Sequence, residues 1–488
     1  MKHCPMKHAA LGLLGLAIFS TKAFAQSTVN GAGHQSDLGA NFAGEGHRFS
    51  ESCGAFKVLP CATLLFTDHP LHIAAGSLAP GNGFAAGPAF VYEHHTRPRT
   101  PKDAKPGESG SRWRLNLNAD GVASGNGSWR AGVYMTSMLI PGHRIQVLTG
   151  PPPPDADLDL TRKSPVISTY VQSESLNKLV YYGLGQGSSR SAKTFFGMTE
   201  TIAGVSVLWP VWRPLALSLF GEANARVVSL RGNHSEKTGP SIEQRYTDAT
   251  APGLADQPAF GQFGQGIRMD PSYLRNHLKL NYSFTFQQYV APGSKSSFRR
   301  IVLDLAHEFP LYSTSTTPAR RPFNGPDSCS QDATSADCPP PTKSTNRQGS
   351  FGIRFLLTES YTSAGNTVPF YFQPTLGGSD INGQQFLASY ADYRFRGPNL
   401  LLLRGSFEHS IWGPVGFKFL ADTGRVAATR GDLGFEHLAH SFATGITLRA
   451  GGFPVVSILF AWGGHEGTHT LAQVDTALLG GGGRPSLH

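Results

Sequence analysis

The sequence of 488 residues is poor in charge and has no long apolar run. Charged residues make up 15% of it, well below the roughly 25% of an ordinary soluble protein. The formal net charge is +9, but no run of about 5–8 lysines and arginines appears, so a nucleic-acid surface is not indicated. The mean hydropathy of −0.20 excludes a bundle of membrane-spanning helices, each of which needs about 20 apolar residues.

The N-terminus has the pattern of a secretory signal peptide. Two lysines precede an apolar stretch from Ala9 to Phe19, and Ala23–Ala25 supplies small residues before a cleavage site. The apolar stretch is too short to span a bilayer as a helix. We therefore expect three parts: a signal peptide over residues 1–25, a short periplasmic N-terminal segment over residues 26–68, and one domain over residues 69–488.

The cysteines that follow the expected cleavage site form two close pairs, Cys53 with Cys61 and Cys329 with Cys338. An even number of cysteines in an exported protein favours disulfides, and the spacing favours the local pairing among the possible ones. Neither pair has the short gap of a zinc knuckle. The sequence therefore predicts two local disulfides and no metal site.

Alternation of apolar and polar residues is the most frequent pattern in the chain. From Leu274 to Gln287 the even positions are mostly apolar and the odd ones polar, which predicts one strand with two unlike faces. The alternation recurs in segments that begin near Trp113, Leu215, Ile301, Leu401, Val415 and Phe442. These segments are longer than the ~5–6 residues of an average strand, and charges recur on their polar face.

Long alternating strands in an exported chain predict an all-β fold, a transmembrane antiparallel β-barrel of about 16 strands in the bacterial outer membrane. Only helices and closed barrels satisfy every backbone group within lipid. Outer-membrane lipid is then the first partner. A large soluble β-sandwich is the alternative, but it does not explain charges in the middle of strands.

Connections between the predicted strands fall into two lengths. The short ones, Ala123–Gly127 and Pro210–Arg213, predict periplasmic turns. The long polar ones predict extracellular loops; they are His95–Ser111, Pro151–Lys163, Ser229–Pro271 and Ser313–Gln348.

Basic residues outnumber acids on the faces predicted to point inward. They are Arg112, Arg114, Arg226, Arg275, Arg300, Arg354, Arg404 and Lys418. Such an excess would favour anions in an open pore. Ion pairs that brace the wall are the equally open alternative.

One stretch of the sequence matches the residue pattern of a catalytic motif but lacks the helical context that the motif needs. His465-Glu466-Gly467-Thr468-His469 matches the H-E-x-x-H pattern of zinc proteases, which places both histidines on one face of a helix. Glycines in and before this stretch disfavour a helix. We therefore expect no enzyme, no cofactor, no catalytic residue and no small-molecule substrate.

The C-terminal quarter carries a set of motifs that can be compared with a known family. They are Leu376-Gly377-Gly378, the stretch Leu387–Arg396, Phe407-Glu408-His409 and Asp422-Thr423-Gly424. Together they resemble the barrel of the outer-membrane assembly-factor superfamily, the BamA/TamA or bacterial surface-antigen type. The resemblance implies a loop folded into the barrel lumen, and protein insertion or translocation with unfolded outer-membrane proteins as clients.

The tip of that loop departs from the family pattern of arginine, glycine and an aromatic residue. The resemblance places the tip on Ala388, Ser389 and Tyr390, so only the aromatic residue is kept. A second alignment places the tip on residues 381–384, again without arginine.

The family arginine pairs with the aspartate of the D-x-G motif, here Asp422, two residues before Gly424. An unpaired buried carboxylate is costly, so we expect Arg394 or Arg396 to bind Asp422 instead. Residues 26–68 also leave no room for the family's periplasmic repeats. Two functions remain open: an insertion or translocation barrel, and a passive pore or structural barrel that keeps the fold alone.

Overall fold

The computed structural model describes most of the predicted barrel domain. Its residues are 70–97, 110–141, 164–233, 238–274, 277–314, 347–412, 415–450, 453–474 and 485. They all belong to one compact unit, Leu65–His488. The predicted signal peptide, the segment 26–68, Arg275 and the four paired cysteines (Cys53, Cys61, Cys329 and Cys338) lie outside the described residues. The disulfides and the domain boundaries therefore stay predictions.

The described residues form strands and short 3-10 turns. The strands, in chain order, are β1 (Leu71–Ser77), β2 (Phe84–His95), β3 (Arg112–Ser124), β4 (Trp129–Ile140), β5 (Val166–Tyr181), β6 (Thr194–Trp212), β7 (Leu217–Gly232), β8 (Phe260–Met269), β9 (Ser272–Tyr273), β10 (Leu278–Val290), β11 (Phe298–Thr314), β12 (Arg347–Thr362), β13 (Thr375–Leu376), β14 (Phe395–Arg396), β15 (Asn399–Trp412), β16 (Val415–Ala427), β17 (Ala439–Ala450), β18 (Phe453–Trp462) and β19 (His469–Val474). No helix in this part of the chain is long and apolar enough to cross a membrane.

The long strands follow one another as an antiparallel meander, each paired with the one before and the one after it. The two-residue β9 pairs with the first residues of β10. The two short strands β13 and β14 pair with each other and are not part of the wall. The first and last strands, β1 and β19, come together and close the sheet into a barrel. The wall thus has 16 strands among the described residues, and the predicted fold class is confirmed.

The two faces of the wall have opposite character, as β7 illustrates. Leu219 and Val227 point outward and are 49% and 53% exposed, whereas Ser218, Asn224 and Arg226 point inward and are buried. Exposed apolar residues continue around the barrel, among them Val133, Val171, Val205, Phe263, Phe351, Ile446 and Phe460. An apolar belt of this extent is typical of a lipid-facing barrel surface and not of a soluble sheet.

Two predicted strands start later than the sequence pattern indicates. β10 begins at Leu278, because the chain turns after β9, where Leu274 has a φ of +53° and is 73% exposed. β7 begins at Leu217, after a 3-10 turn over Arg213–Leu215. In both places an apolar residue in a turn continues the alternation by chance, so the predicted strand boundary was wrong.

The predicted assignment of connections by length was also wrong. Successive connections of an antiparallel meander lie at alternate ends of the barrel. We name the end at which β12 ends and β15 begins the plug end. The turn within Ala123–Gly127 lies at the plug end and the turn after Pro210 at the opposite end, so they cannot both be periplasmic. The strand ends beside residues 95–111, 151–163 and 313–348 lie at that opposite end, and Ser229–Pro271 contains the whole of β8.

Candidate functional site

A segment inside the barrel is the most distinctive feature of the fold. We name residues 363–398, which connect β12 to β15, the plug. Almost all of its residues from Val368 to Phe395 are buried or half-buried, and it contains the β13–β14 pair and a 3-10 turn over Phe370–Phe372. Its side chains pack on the inner faces of strands on both sides of the barrel. The predicted loop in the lumen is therefore confirmed.

Aromatic rings attach one side of the plug to the wall. Phe370 lies 5.0 Å from Tyr181 of β5 and 5.2 Å from Phe196 of β6, measured between ring centroids. Phe372 lies 4.9 Å from Phe260 of β8, at a right angle to it. Each such pair adds about 0.5–1.5 kcal/mol beyond its buried area, so this side of the plug is held by packing.

The other side of the plug packs on β15, β16 and β17. Leu376 and Leu387 of the plug share an apolar cluster with Leu402 and Val426 of the wall. Gly424 of β16 allows the close approach: a Cβ there would lie 3.1 Å from Leu376 Cδ1 and 2.8 Å from a wall carbonyl. The glycine of the D-x-G motif thus leaves room for the plug to pack against β16.

The paired glycines of the plug permit a tight internal fold. Gly377 and Gly378 have φ values of +104° and +58°. A Cβ on Gly377 would lie 2.5 Å from Arg394 Cβ, and one on Gly378 would lie 2.4 Å from Asp392 Oδ1. Asp392 accepts a hydrogen bond from the Ser379 amide at 2.8 Å. The motif therefore serves to fold the plug back on itself.

The predicted tip residues contact the wall. Ala388 is 1% exposed and packs in an apolar cluster with Leu420 and Leu459, so a long cationic side chain has no place at this position. The Ser389 amide donates to Ser441 Oγ at 2.8 Å. Tyr390 stacks edge-on against Phe395 at 5.0 Å. The tip is therefore held by apolar packing of Ala388, by a hydrogen bond from the Ser389 amide and by the ring contact of Tyr390.

Asp422 has a different cationic partner from the one predicted. Arg404, directly opposite on β15, donates from Nε and Nη2 to the two Asp422 oxygens, at 2.7 Å each. Arg404 also donates to the carbonyl of Gln385, and Asp422 accepts from the Leu387 amide at 2.9 Å. One wall ion pair thus holds the backbone of the plug, and the predicted lock through Arg394 or Arg396 is wrong.

Arg394 binds connections at the plug end instead. Its guanidinium pairs with Glu466 between β18 and β19, and it donates to Ser188 Oγ at 2.7 Å between β5 and β6. Glu466 is the central acid of the H-E-x-x-H stretch, so that carboxylate is engaged in an ion pair. Within the described residues no cluster of three or more potential ligands could hold a metal ion.

Arg396 stabilises the plug internally. Its Nη1 donates to the Phe370 carbonyl at 2.7 Å and to the Gln373 carbonyl at 3.3 Å. The bonds join β14 to the 3-10 turn. Arg300 of the wall donates to a third carbonyl of that turn, on Phe372. Sequence reasoning missed both roles, since carbonyl acceptors leave no signal in a sequence.

Several inward basic residues have acidic partners. Arg226 pairs with Glu200 at 3.0 Å, both almost fully buried. Arg354 makes two hydrogen bonds, of 2.9 and 2.8 Å, to Asp304. Lys418 pairs with Glu408 at 3.0 Å. These pairs favour the bracing interpretation of the inward charge over an anion pore, since a neutralised arginine attracts anions weakly.

The plug fills only part of the barrel lumen. A cavity of about 720 Å³ lies between it and β5–β12, lined by Tyr170, Glu222, Arg268 and Arg354 among others. A second, of about 540 Å³, lies between β1 and β19 at the plug end. The described residues therefore form a partly filled lumen with a seam on one side.

The chain is similar to solved outer-membrane barrels. The crystal structure of BamA from Haemophilus ducreyi lacking POTRA domains 1–3 has 12% sequence identity and a TM-score of 0.42, over 83% of this chain and 69% of that one. CdiB from Acinetobacter baumannii has 10% sequence identity and a TM-score of 0.41, over 82% of this chain and 57% of that one. CdiB from Escherichia coli has 10% sequence identity and a TM-score of 0.43, over 84% of this chain and 63% of that one.

These similarities describe the fold alone. The chain spans 57% to 69% of the length of the three solved chains. No family model matches the sequence, and no curated protein matches it. The fold class itself rests on the strand registers and the apolar belt described above.

Proposed function

We propose that this protein is an outer-membrane barrel that lets polypeptide clients insert at the seam between β1 and β19. The observation that carries the proposal is the seam itself. Every other pair of neighbouring wall strands has an antiparallel register, in places interrupted by a bulge, whereas no register joins β1 to β19 among the described residues. The backbone groups along these edges are therefore available to another strand.

Within the described residues the two seam strands are also short. β1 has seven residues and β19 has six, against nineteen in β6. A short edge limits unwanted pairing while still offering backbone donors and acceptors to an incoming strand. Addition of a client strand at such an edge is a known mode of peptide recognition. The sequence resemblance to assembly factors supports the same activity.

A passive plugged barrel is the second candidate function. The observation that favours it is the number of contacts that fix the plug, above all the Arg404–Asp422 pair with its bonds to Gln385 and Leu387. A lumen closed by a fixed plug suits a structural barrel. It also suits an insertion barrel that works through its wall, so the seam is the feature to test.

A disulfide across the seam tests the proposal. Ser77 and Thr470 line the same seam cavity from opposite strands, so Ser77→Cys with Thr470→Cys should allow oxidation to a crosslink, verified by mass mapping. In cells depleted of the native protein, the crosslinked variant should lose its support of the outer-membrane proteome. Addition of a reductant should restore that support.

The matched control is a disulfide between strands that are already paired. Thr447 and Ser457 are register partners in β17 and β18, so Thr447→Cys with Ser457→Cys closes no new edge and should leave the proteome unchanged. An unchanged proteome with the seam crosslinked would contradict client insertion and would favour the passive barrel.

A further inference from the structure

The seam cavity passes through the barrel wall. Its lining includes Thr470, Leu471 and Ala472, three consecutive residues of β19. The buried Tyr390 and Tyr393 of the plug line it from the lumen side. Ser77 of β1 and the exposed Phe84 of β2 line it as well. It therefore connects the lipid-facing surface to the lumen.

Two lysines line this cavity beside one aromatic ring. The Nζ atoms of Lys178 and Lys193 lie 5.8 and 5.1 Å from the centroid of Phe195. No carboxylate forms an ion pair with either ammonium group in the part of the chain that the structure describes. Partial burial, and then the charge of Lys178, lower the pKa of Lys193. Two like charges held together favour an anion between them.

The backbone of Lys178 is held in place by its surroundings. The register between β5 and β6 shifts between Leu176 and Leu179, so Lys178 lies in a bulge, a feature that redirects side chains. The fully buried Asn82 accepts from the Lys178 amide at 2.9 Å and donates to its carbonyl at 2.9 Å. The backbone of this lysine is therefore held in one position, while its side chain is exposed.

The rest of the lining contains both apolar and polar residues. Leu78, Val180 and Leu471 line the cavity, and Phe84 lies at its outer mouth. The acid in the lining is Asp392, whose carboxylate is bonded to the Ser379 amide. Two exposed lysines and the apolar residues Leu78, Phe84 and Leu471 of the lining fit a ligand with an anionic head and apolar chains.

We propose that the seam cavity binds the phosphate head group of an anionic membrane lipid. The ammonium groups of Lys178 and Lys193 bind the phosphate, and the acyl chains leave the wall between Ser77 and Thr470. This site depends on the membrane location of the barrel but not on client insertion. The lipid test and the seam crosslink can therefore fail separately.

Native mass spectrometry of the full-length protein, released from micelles that contain phosphatidylglycerol, tests the site. The wild type should retain one lipid. The double variant Lys178→Gln/Lys193→Gln should retain about fivefold less, the equivalent of about 1 kcal/mol of binding free energy. Lys178→Arg/Lys193→Arg should keep the lipid, because the charge is kept. Lys279→Gln/Lys295→Gln, which removes two exposed lysines elsewhere, should behave as the wild type.

Three outcomes would overturn the proposal. The first is equal retention of phosphatidylglycerol by the wild type and the glutamine variant, with both barrels shown to be folded by heat-modifiable gel mobility. The second is retention of phosphatidylcholine as strong as that of phosphatidylglycerol, since the zwitterionic lipid carries no net charge. The third is displacement of the lipid by millimolar inorganic phosphate, which would mean that the lysines bind a free anion.

Discussion

At the residue scale, one carboxylate connects the wall to the plug. Asp422 is 5% exposed and has three partners: two nitrogens of Arg404 and the Leu387 amide. A bidentate, charge-assisted pair of this kind fixes geometry as well as energy. Arg404 in turn donates to the plug backbone, so loss of the carboxylate would release both partners at once.

Asp422→Ala should therefore destabilise the barrel by about 3 kcal/mol, because it leaves the half-buried guanidinium of Arg404 without its carboxylate. The measurement is the temperature at which the protein loses its heat-modifiable gel mobility, which should fall. The control is Glu308→Gln, which breaks an exposed pair with Lys279 at 3.8 Å and should cost under about 1 kcal/mol. Equal transition temperatures for both variants would contradict the anchoring role of Asp422.

At the element scale, the plug lies close against β16, and Gly424 sets the distance. Gly424→Ala should strain the wall at the Leu401 carbonyl and push Leu376 and β13 away from β16, at a cost of about 1–3 kcal/mol from overpacking. A displaced plug should raise the ion conductance of the purified barrel in a planar bilayer. Gly221→Ala is the matched control, because a Cβ there meets nothing within 4 Å. Unchanged conductance in both variants would mean that β13 does not limit the passage.

At the scale of the whole molecule, the apolar belt on the outer face decides how the protein behaves in solution. Residues such as Val227 and Phe263 are more than half exposed, and burying them in lipid or detergent gains about 25 cal/mol per Å². The purified protein should need detergent, give a strand-dominated circular dichroism spectrum and migrate faster unheated than heated. A helix-rich spectrum, or solubility without detergent, would contradict the transmembrane barrel.

The sequence by itself determined the local features of this protein. Alternation with a period of two shows which face of a strand is apolar, so it predicted the barrel and about 16 strands. The spacing along the chain also indicates the partner of Asp422. Arg404 and Asp422 lie at equal distances along the chain from Gly413, so a hairpin centred there pairs them. Counting strands would likewise have placed the connections at alternate ends of the barrel.

Only the tertiary structure decided how the plug is held. Arg394 and Arg396 are close to the tip in sequence, yet their partners are Glu466 and two carbonyls of the plug. Those choices depend on the path of the plug across the lumen and on which strands close the barrel. The missing register between β1 and β19 depends on how the whole sheet closes. A period of two in the sequence specifies faces, whereas partners across the lumen are set by contacts between residues far apart in the chain.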